Sequence, residues 1–339
     1  MTMRFPGKAV AALTLAAAAA SAAHAGGNDE DAIVQRGRAL SDWTSAESVA
    51  ALAKAATPGL RSKIEAAGDA AAFAEAIKGQ MGVQTKVLDE IAMKLNGYSF
   101  YQRLATHERI PAGATTVIWD EKGEVVSALI QPSPPPPPAP AAGAGVPVRL
   151  PFAKPARGSW LTVWGGRNVV RNYHMIAPAQ TYAFDLLVAR DGRTFDGPQD
   201  KLSSYFCWGE PVLAAADGVV SEAVDGLADM PVGQMDPKHV AGNHIVIRHG
   251  EKQYSLVAHL QNGSTKVKKG DVVKSGQPIG LCGNSGNTSE PHVHFHLQTG
   301  PTFDDGGQGL PAAFRDMTVD GRPSRDGEPV RGQVIAPAR

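Results

Sequence analysis

The segment GNSGNTSEPHVHFHLQTG, from Gly283 to Gly300, decides the fold. In it, His292, His294 and His296 alternate with apolar residues, and alternation is the side-chain period of a β-strand. All three rings should therefore leave the sheet on one face, with neighbouring rings about 6.5–7 Å apart. Two of them can serve one small site, as a metal ligand and a catalytic group, and we expect the third to be too distant. The alternative is a solvent-facing or hydrogen-bonded histidine row without chemistry.

The neighbouring sequence consists of short apolar runs that are typical of β-strands. PVLAAADGVVSEAV, NHIVIRHG and QYSLVAHL are separated by glycine, proline and aspartate, and turn signals recur about every eight to twelve residues. This spacing predicts an antiparallel sheet with loops over one face. The sequence lacks a Gly-x-Gly-x-x-Gly loop, a P-loop and a Gly-x-Ser-x-Gly elbow, so it does not predict a nucleotide-binding protein or a serine hydrolase of the α/β class.

The stretch QPSPPPPPAPAAGAGVP divides the chain, because consecutive prolines favour polyproline II and cannot donate hydrogen bonds to a sheet. Before it, residues 31–79 have apolar residues at helical spacing and predict two or three short helices, and a meander of strands follows. This order predicts an α+β domain that resembles the cone-shaped NTF2-like fold in element order alone. The predicted organisation is a signal peptide over residues 1–25, the α+β domain over 28–131, a linker over 132–146, and an all-β antiparallel domain with a C-terminal extension over 147–333.

The first 25 residues have the pattern of a secretory signal peptide. Arg4 and Lys8 precede an alanine-rich apolar stretch, and Ala23-His24-Ala25 is a small-x-small cleavage site. The apolar stretch is too short for a comfortable membrane span, so we expect a periplasmic or secreted protein without a transmembrane segment. The chain has 33 basic and 33 acidic residues, and removal of the signal peptide with Arg4 and Lys8 leaves 31 basic and 33 acidic ones. This near-neutral charge gives no indication of a nucleic-acid partner.

The chain has two cysteines, Cys207 and Cys282. In an oxidising compartment they can form a disulfide, and two free buried thiols are the competing interpretation that the sequence leaves open. Their wide spacing excludes a cysteine-based zinc cluster. A metal site in this chain must therefore use histidine and carboxylate ligands.

Five blocks resemble a known family when they are taken together. WGEPVLAAADGVV, GNHIVIRHG, YSLVAHL, VKKGDVVKSGQPIG and GNSGNTSEPHVHFHLQ occur in the order found in the M23 (lysostaphin/LytM-like) zinc metallopeptidases. The similarity covers roughly residues 147–300, under half of the chain. It implies an antiparallel β fold, one Zn²⁺ ion per chain held by two histidines and an aspartate, and hydrolysis of peptide bonds in bacterial peptidoglycan.

The resemblance also implies roles for individual residues. Within the H-x-H pair, His294 corresponds to a zinc ligand and His292 to a catalytic residue. His259, in AHL, corresponds to the catalytic partner of His292, and Asp185, in YAFDLLV, to the aspartate ligand. Three protein ligands leave the fourth tetrahedral position for water, whose pKa zinc lowers towards about 7, and a nearby imidazole can accept the proton of that water.

The first histidine ligand departs from the common family spacing. Four residues before Asp185, where many members have histidine, this sequence has Thr181, and a hydroxyl is a poor zinc ligand by comparison. His174 lies eleven residues before Asp185, in an N-x-H block that resembles members with a longer spacing. We therefore expect His174 to be the third ligand. Without it the site would have two protein ligands and would be inactive.

The other histidines are expected to be structural. His296 can orient a metal ligand through a hydrogen bond, and His107 should be a surface residue. His239, His244 and His249 complete this group. The leading hypothesis is a zinc endopeptidase acting on peptidoglycan stem peptides or crosslinks. The alternative is a non-catalytic LytM-like regulator that binds the cell wall or activates another hydrolase.

Overall fold

The computed structural model describes residues 28–66, 68–134 and 146–338. The predicted signal peptide over residues 1–25 lies outside these ranges, as does most of the predicted linker. No helix within these ranges combines the length and the apolar character needed to cross a membrane.

Four short helices come first, and local capping sets their ends. They are α1 (Asn28–Leu40), α2 (Ala46–Ala55), α3 (Pro58–Glu65) and α4 (Ala70–Met81). The Ser45 hydroxyl accepts a hydrogen bond from the Ser48 N–H at the start of α2, and the Asp69 carboxylate accepts one from the Ala72 N–H at the start of α4. The sequence predicted two or three helices. There are four because Thr57-Pro58 ends α2 and starts α3, and Asp69 starts another helix after it.

An antiparallel meander follows the helices. Its strands, in spatial as well as chain order, are β1 (Gln84–Leu95), β2 (Tyr98–His107), β3 (Gly113–Trp119) and β4 (Val125–Pro132). Leu52 of α2 packs with Tyr101 and Trp119 of the sheet, and these side chains are fully buried. The predicted α+β architecture of this part of the chain is thus confirmed. Its resemblance to the NTF2-like fold stays a prediction.

The prediction that His107 is a surface residue is wrong. His107 is 7% exposed, at the end of β2. Gly113 lies opposite its ring, and a side chain at Gly113 would collide with the imidazole and with Met81. The burial of His107 depends on the space that Gly113 leaves on the neighbouring strand. The alternation of residues within β2 contains no information about that space, so the sequence pattern could not show the burial.

The remaining part of the chain is rich in short strands. They are β5 (Val146–Val148), β6 (Ser159–Trp164), β7 (Phe184–Ala189), β8 (Pro211–Leu213), β9 (Gly218–Val224), β10 (Asn243–Gly250), β11 (Gln253–Leu260), β12 (Val272–Val273), β13 (Pro278–Leu281), β14 (Val293–Gln298), β15 (Gly309–Leu310), β16 (Ala312–Phe314), β17 (Met317–Val319), β18 (Arg322–Ser324) and β19 (Val334–Pro337). Short 3-10 helices occur at Tyr173–Ile176, Pro178–Gln180 and Leu202–Ser204.

Most of these strands form one large sheet with the histidine strand near its centre. The order is β12-β9-β10-β11-β14-β7-β6-β19-β17-β18, with β15 added at one end of β14. All of these pairs are antiparallel, as predicted, whereas β5 and β16 form a separate parallel pair. The histidine strand β14 lies between β11 and β7, so each of its side chains has neighbours on both sides.

The predicted alternation of histidine and apolar side chains is confirmed in β14. Phe295 and Leu297 belong to the main hydrophobic core on one face of the sheet, together with Val293. His294 and His296 occupy the alternate positions and are also buried. A solvent-facing histidine row is therefore excluded, because loops cover the polar face of the strand.

A disulfide joins Cys207 to Cys282, with their Cα atoms 5.9 Å apart. It connects the segment before β8 to the segment after β13, across a sequence separation of 75 residues. Both cysteines are buried in the main core. Of the two interpretations that the sequence left open, the structure shows the disulfide.

The two sheets meet along the first strands of the meander. Asp89 of β1 forms an ion pair with Arg171 at 2.5 Å. Beside this pair, Ile91 and Leu104 pack with Val170, which is buried in the contact. Further along, the N–H of Asn96, in the β1–β2 turn, donates a hydrogen bond of 2.8 Å to the carbonyl of Gly192. The meander is therefore fixed against the face of the large sheet that carries the histidines.

Candidate metal centre

The sheet register brings the candidate residues together. His294 of β14 is paired directly with Asp185 of β7 on one side and with Ala258 of β11 on the other. His259 follows Ala258, and His292 immediately precedes β14. Residues on adjacent strands at the same register are about 5 Å apart, so the antiparallel pairing alone assembles most of the site.

His174 reaches the same place from the loop between β6 and β7. It lies in the 3-10 helix Tyr173–Ile176, and its Nε2 is 3.4 Å from Oδ2 of Asp185. Nδ1 of His294 is 2.9 Å from Oδ1 of the same carboxylate. The potential ligand atoms of His174, Asp185 and His294 all lie within 4.8 Å of one another, and all three residues are buried. The hydroxyl of Thr181 instead donates a hydrogen bond to the carbonyl of Pro178.

A chain of hydrogen bonds fixes which nitrogen of His294 faces the aspartate. The Gln298 amide Nε2 donates to the carbonyls of Gly300 and Thr302, so its Oε1 is free to accept a hydrogen bond. His296 Nε2–H donates to that oxygen at 2.6 Å, and His296 Nδ1 in turn accepts from His294 Nε2–H at 2.9 Å. Burial lowers the pKa of His296 well below its usual value, which keeps this ring neutral as the relay requires. His294 therefore presents Nδ1, and not Nε2, to the site.

Asn172 fixes His174 in a similar way. The Asn172 amide nitrogen donates to the carbonyls of Gly166 and Thr181, and its oxygen accepts from both the backbone N–H and the Nδ1–H of His174. Burial lowers the pKa of His174 to about 3, so its Nε2 is unprotonated and faces Asp185. Burial by itself raises the pKa of Asp185, but His174 and His292 beside it lower that pKa well below its usual range. The carboxylate is therefore ionised.

Nε2 of His174, Nδ1 of His294 and the oxygens of Asp185 thus face one another. Such an arrangement favours a cation between the atoms, because it places nitrogen ligands beside a buried negative charge. Two imidazole nitrogens and one carboxylate are a donor set that suits Zn²⁺, and they leave a coordination position for water. The residues present thus fit the metal that the sequence predicted.

His259 and His292 face the same cluster without belonging to the ligand set. Nδ1–H of His259 donates to the carbonyl of Ser285, and Nδ1–H of His292 donates to the carbonyl of Glu290, both at 2.9 Å. Each ring therefore directs its Nε2 inward, and the ring centroids are 4.7 Å apart. His259 has a φ of 62°, in the left-handed region. A non-glycine residue in this conformation is uncommon and is associated with functional sites.

The predicted structural histidines lie away from the cluster. His244 Nε2 lies 3.1 Å from the carboxylate of Glu222, and His249 Nε2 is 2.7 Å from the hydroxyl of Ser255. His239 lies in an exposed loop beside Asp236. His296, by contrast, contacts His294 through the relay described above, as the sequence predicted.

A small cavity opens beside the cluster, with a volume of about 150 Å³. One side is formed by Asp185, His292, Glu290 and Arg331. The opposite side comes from the first three strands of the meander and includes Met93, Leu95, Asn96, Phe100, Gln102, Thr116 and Ile118. No sequence motif connects these meander residues to the histidine strand, so the sequence did not predict them as part of the site.

A second set of missed residues joins the meander to His292. The side-chain oxygen of Asn96 accepts a 2.9 Å hydrogen bond from the N–H of Thr194, and the Thr194 hydroxyl donates to the carboxylate of Glu290 at 2.6 Å. Burial raises the pKa of Glu290. The backbone carbonyl of Glu290 holds His292, so Asn96 is connected to a predicted catalytic ring through two residues. Glu290 stands two positions before His292, and this adjacency was the one available sequence signal.

Part of the chain is similar in sequence to known proteins. Residues 205–305, under a third of the chain, match the family described as Peptidase family M23. A 90-residue stretch is 39% identical to the peptidoglycan DD-endopeptidase ShyA of Vibrio cholerae and covers 26% of this chain and 17% of ShyA. The cell division protein DipM of Caulobacter vibrioides is 34% identical over 97 residues, 29% of this chain and 14% of DipM. The murein hydrolase activator EnvC of Escherichia coli is 31% identical over 107 residues, 32% of this chain and 24% of EnvC.

The chain therefore spans less than a quarter of the length of each of these relatives. The fold and the site define an antiparallel β-sheet protein with a buried His–Asp–His cluster capable of holding a metal ion. The segment over residues 205–305 is similar to peptidase family M23. His259, His292 and His294 lie inside the matched residues, whereas His174 and Asp185 precede them and join the site through the fold.

Proposed function

We propose that the protein is a zinc-dependent endopeptidase that hydrolyses peptide bonds in bacterial peptidoglycan, in a stem peptide or a crosslink. The observation that carries this proposal is the convergence of three buried potential ligand atoms, from His174, Asp185 and His294. Hydrogen bonds fix both histidine tautomers, so the cluster is organised to receive a cation before one binds.

In this proposal His174, Asp185 and His294 hold one zinc ion per chain. When bound, zinc supplies a Lewis acid that polarises the substrate carbonyl and lowers the pKa of water. Asp185 contributes one negative charge, so the occupied site keeps a net positive charge. Gln298 and His296 hold the His294 ring in position, and Asn172 does the same for His174.

His259 and His292 are the proposed catalytic residues. Their inward Nε2 atoms can accept the proton of the attacking water and return it to the amine that leaves when the C–N bond breaks. A protonated imidazole in either position can also stabilise the oxyanion that forms on the carbonyl. The backbone carbonyls of Ser285 and Glu290 orient the two rings for these steps.

The substrate and the compartment rest on the relatives and on the predicted signal peptide. ShyA is named as a peptidoglycan DD-endopeptidase, and it is 39% identical to this chain over 90 residues. Export into a periplasm or out of the cell would place this chain where peptidoglycan peptides are accessible. We propose these peptides as its partner and a periplasmic or secreted location.

The same proposal divides the chain into two domains, over residues 28–131 and 147–333. Each has a hydrophobic cluster of its own, one centred on the helices and the meander and the other on the large sheet. The first domain lines the cavity beside His292 through β1, β2 and β3. Its position indicates that it contributes to access at the site as well as to stability.

The second candidate function is a non-catalytic regulator that binds the cell wall or activates another hydrolase. One observation favours this alternative. The first domain faces the cluster across a cavity of about 150 Å³, which limits the space for a long substrate. EnvC, whose name describes a hydrolase activator, is also among the relatives. The complete ligand set in this chain argues for catalysis, since a regulator has no need of organised metal ligands.

Digestion of purified peptidoglycan, followed by mass analysis of the released fragments, tests the proposal. We expect the zinc-loaded protein to release peptide fragments, and EDTA to abolish the release. The Asp185→Asn variant is the matched control, because it keeps the size of the side chain and removes the charge. Intact peptidoglycan after incubation with folded, zinc-containing protein would support the regulator instead.

A further inference from the structure

Arg331 is a buried cation without an acidic partner. It lies in the turn before β19, is 5% exposed, and stacks on the Trp164 ring with its guanidinium carbon 3.9 Å from the ring centroid. Its Nη1 donates a 2.8 Å hydrogen bond to the carbonyl of Val170, while its Nε is buried without a partner. Within the described ranges, no carboxylate forms an ion pair with this guanidinium.

An unpaired buried guanidinium is unfavourable, since it has lost its hydration without gaining a counter-charge. Burial, with a smaller effect from Arg171, lowers the pKa of Arg331 to about 9. The stacking on Trp164 and the single bond to Val170 offset part of the cost of burial. An anionic group supplied from outside the chain would offset the rest.

The position of Arg331 indicates where such a group would come from. Arg331 lines the cavity that also contains His292 and Asp185, so an anion held there would lie beside the reacting centre. Across the cavity, Gln102 of β2 has a buried side-chain oxygen without a partner, while its nitrogen donates to the Thr116 hydroxyl. Two of the residues that line the cavity, Arg331 and Gln102, thus each have a buried polar atom without a partner, one a donor and the other an acceptor.

We propose that Arg331 binds a free carboxylate of the substrate peptide close to the bond that is cut, and that Gln102 accepts a hydrogen bond from an amide N–H of the same residue. This inference rests on the proposed peptidase function and adds the substrate class to it. A diaminopimelate crosslink has such a carboxylate on the carbon that bears the amide nitrogen. A cavity of about 150 Å³ can hold a carboxylate and the adjoining amide group.

The test uses two cross-linked peptides that differ in one group, a carboxylate or a carboxamide beside the scissile bond. The wild-type full-length protein should have a kcat/KM about 10- to 100-fold higher for the carboxylate peptide, as expected for a charge-assisted hydrogen bond in a buried site. The Arg331→Gln variant should bring the two values within about threefold of each other. Arg322→Gln, which removes an exposed arginine from neighbouring β18, should keep the wild-type ratio.

Binding to the metal-free full-length protein separates this inference from the proposed activity. Calorimetry should show the carboxylate peptide binding about tenfold or more tightly than the carboxamide peptide, whether or not the protein is a peptidase. A wild-type preference below about threefold in both measurements would overturn the inference, even if Arg331→Gln fails to fold. An equal loss of kcat/KM and of affinity for both peptides in a folded Arg331→Gln variant would also overturn the inference. Such a result would show that Arg331 only supports Trp164. Hydrolysis of neither peptide by zinc-loaded protein would count against the proposed function instead.

Discussion

His294 Nε2 lies 2.9 Å from Nδ1 of His296, and this contact determines which nitrogen of His294 faces Asp185. The relay continues from His296 to the Gln298 amide. Each donor along the relay has an acceptor, so the hydrogen bonds are all donated in one direction, from His294 towards Gln298. The third histidine of the opening segment therefore holds the proposed ligand His294 in position and lies outside the proposed ligand set.

The first prediction follows from this relay. Replacing Gln298 by Leu or His296 by Leu should lower the zinc affinity by about 10- to 100-fold, the usual effect of removing the partner of a ligand. Competition with a chelator measures it. His249→Gln is the matched control, because His249 is partly buried and hydrogen-bonded to Ser255 outside the cluster. Unchanged affinity in folded Gln298→Leu and His296→Leu proteins would mean that the relay does not support the metal.

The second prediction separates ligands from catalysts. His292→Ala and His259→Ala should keep zinc and lower the turnover of peptidoglycan peptides by two or more orders of magnitude, because each removes a group that transfers a proton or stabilises the oxyanion. Zinc content and kcat measured on the same preparations check this. If either variant loses its metal, ligand and catalyst have been exchanged in the assignment.

The third prediction concerns the division of the chain. A protein that begins at Pro147 should fold, because its core is separate from the helical cluster of the first domain, and it should hydrolyse peptidoglycan. Its unfolding followed by circular dichroism should be cooperative. The Asp89→Ala variant of the full chain serves as a comparison, because it weakens the contact between the two domains by removing the ion pair to Arg171 but keeps both domains. Aggregation of the shorter protein would show that the proline-rich segment is not a domain boundary.

The fourth prediction concerns the disulfide. Closing a loop of 75 residues between Cys207 and Cys282 restricts the unfolded chain, and the loop-entropy relation gives about 4 kcal/mol for this length. Reduction should therefore shift the denaturant midpoint to a clearly lower concentration. The double variant Cys207→Ala/Cys282→Ala should be insensitive to the reductant. Equal midpoints of the wild-type protein with and without reductant would contradict a structural role.

The sequence predicted those parts of the site that follow from strand period and block order. Alternation in the opening segment placed His292 and His294 on one face, and pairing of β14 with β7 then brought Asp185 beside them. His174 followed from the family spacing alone, since a loop of eleven residues has no period that defines where it returns. The geometry adds the Asn172 contacts that make His174 a credible ligand.

The residues that the sequence analysis missed are those whose roles depend on contacts between distant segments. Gln102 and Asn96 belong to the meander, and Arg331 lies beyond the family match, so no local pattern connects them to the histidines. The disulfide was undecided for the same reason, because spacing does not define the distance between two cysteines. His107 was misjudged because the space left by Gly113 decides its burial.

The fifth prediction tests the central claim most directly, by measuring zinc per chain in the folded full-length protein after dialysis. We expect about one zinc ion in the wild-type protein and in Thr181→Ala, whose hydroxyl is bonded to Pro178. We expect almost none in His174→Ala, because two remaining protein ligands hold zinc weakly. A zinc content near zero in the folded wild-type protein, or loss of zinc from Thr181→Ala but not from His174→Ala, would contradict the assigned metal centre.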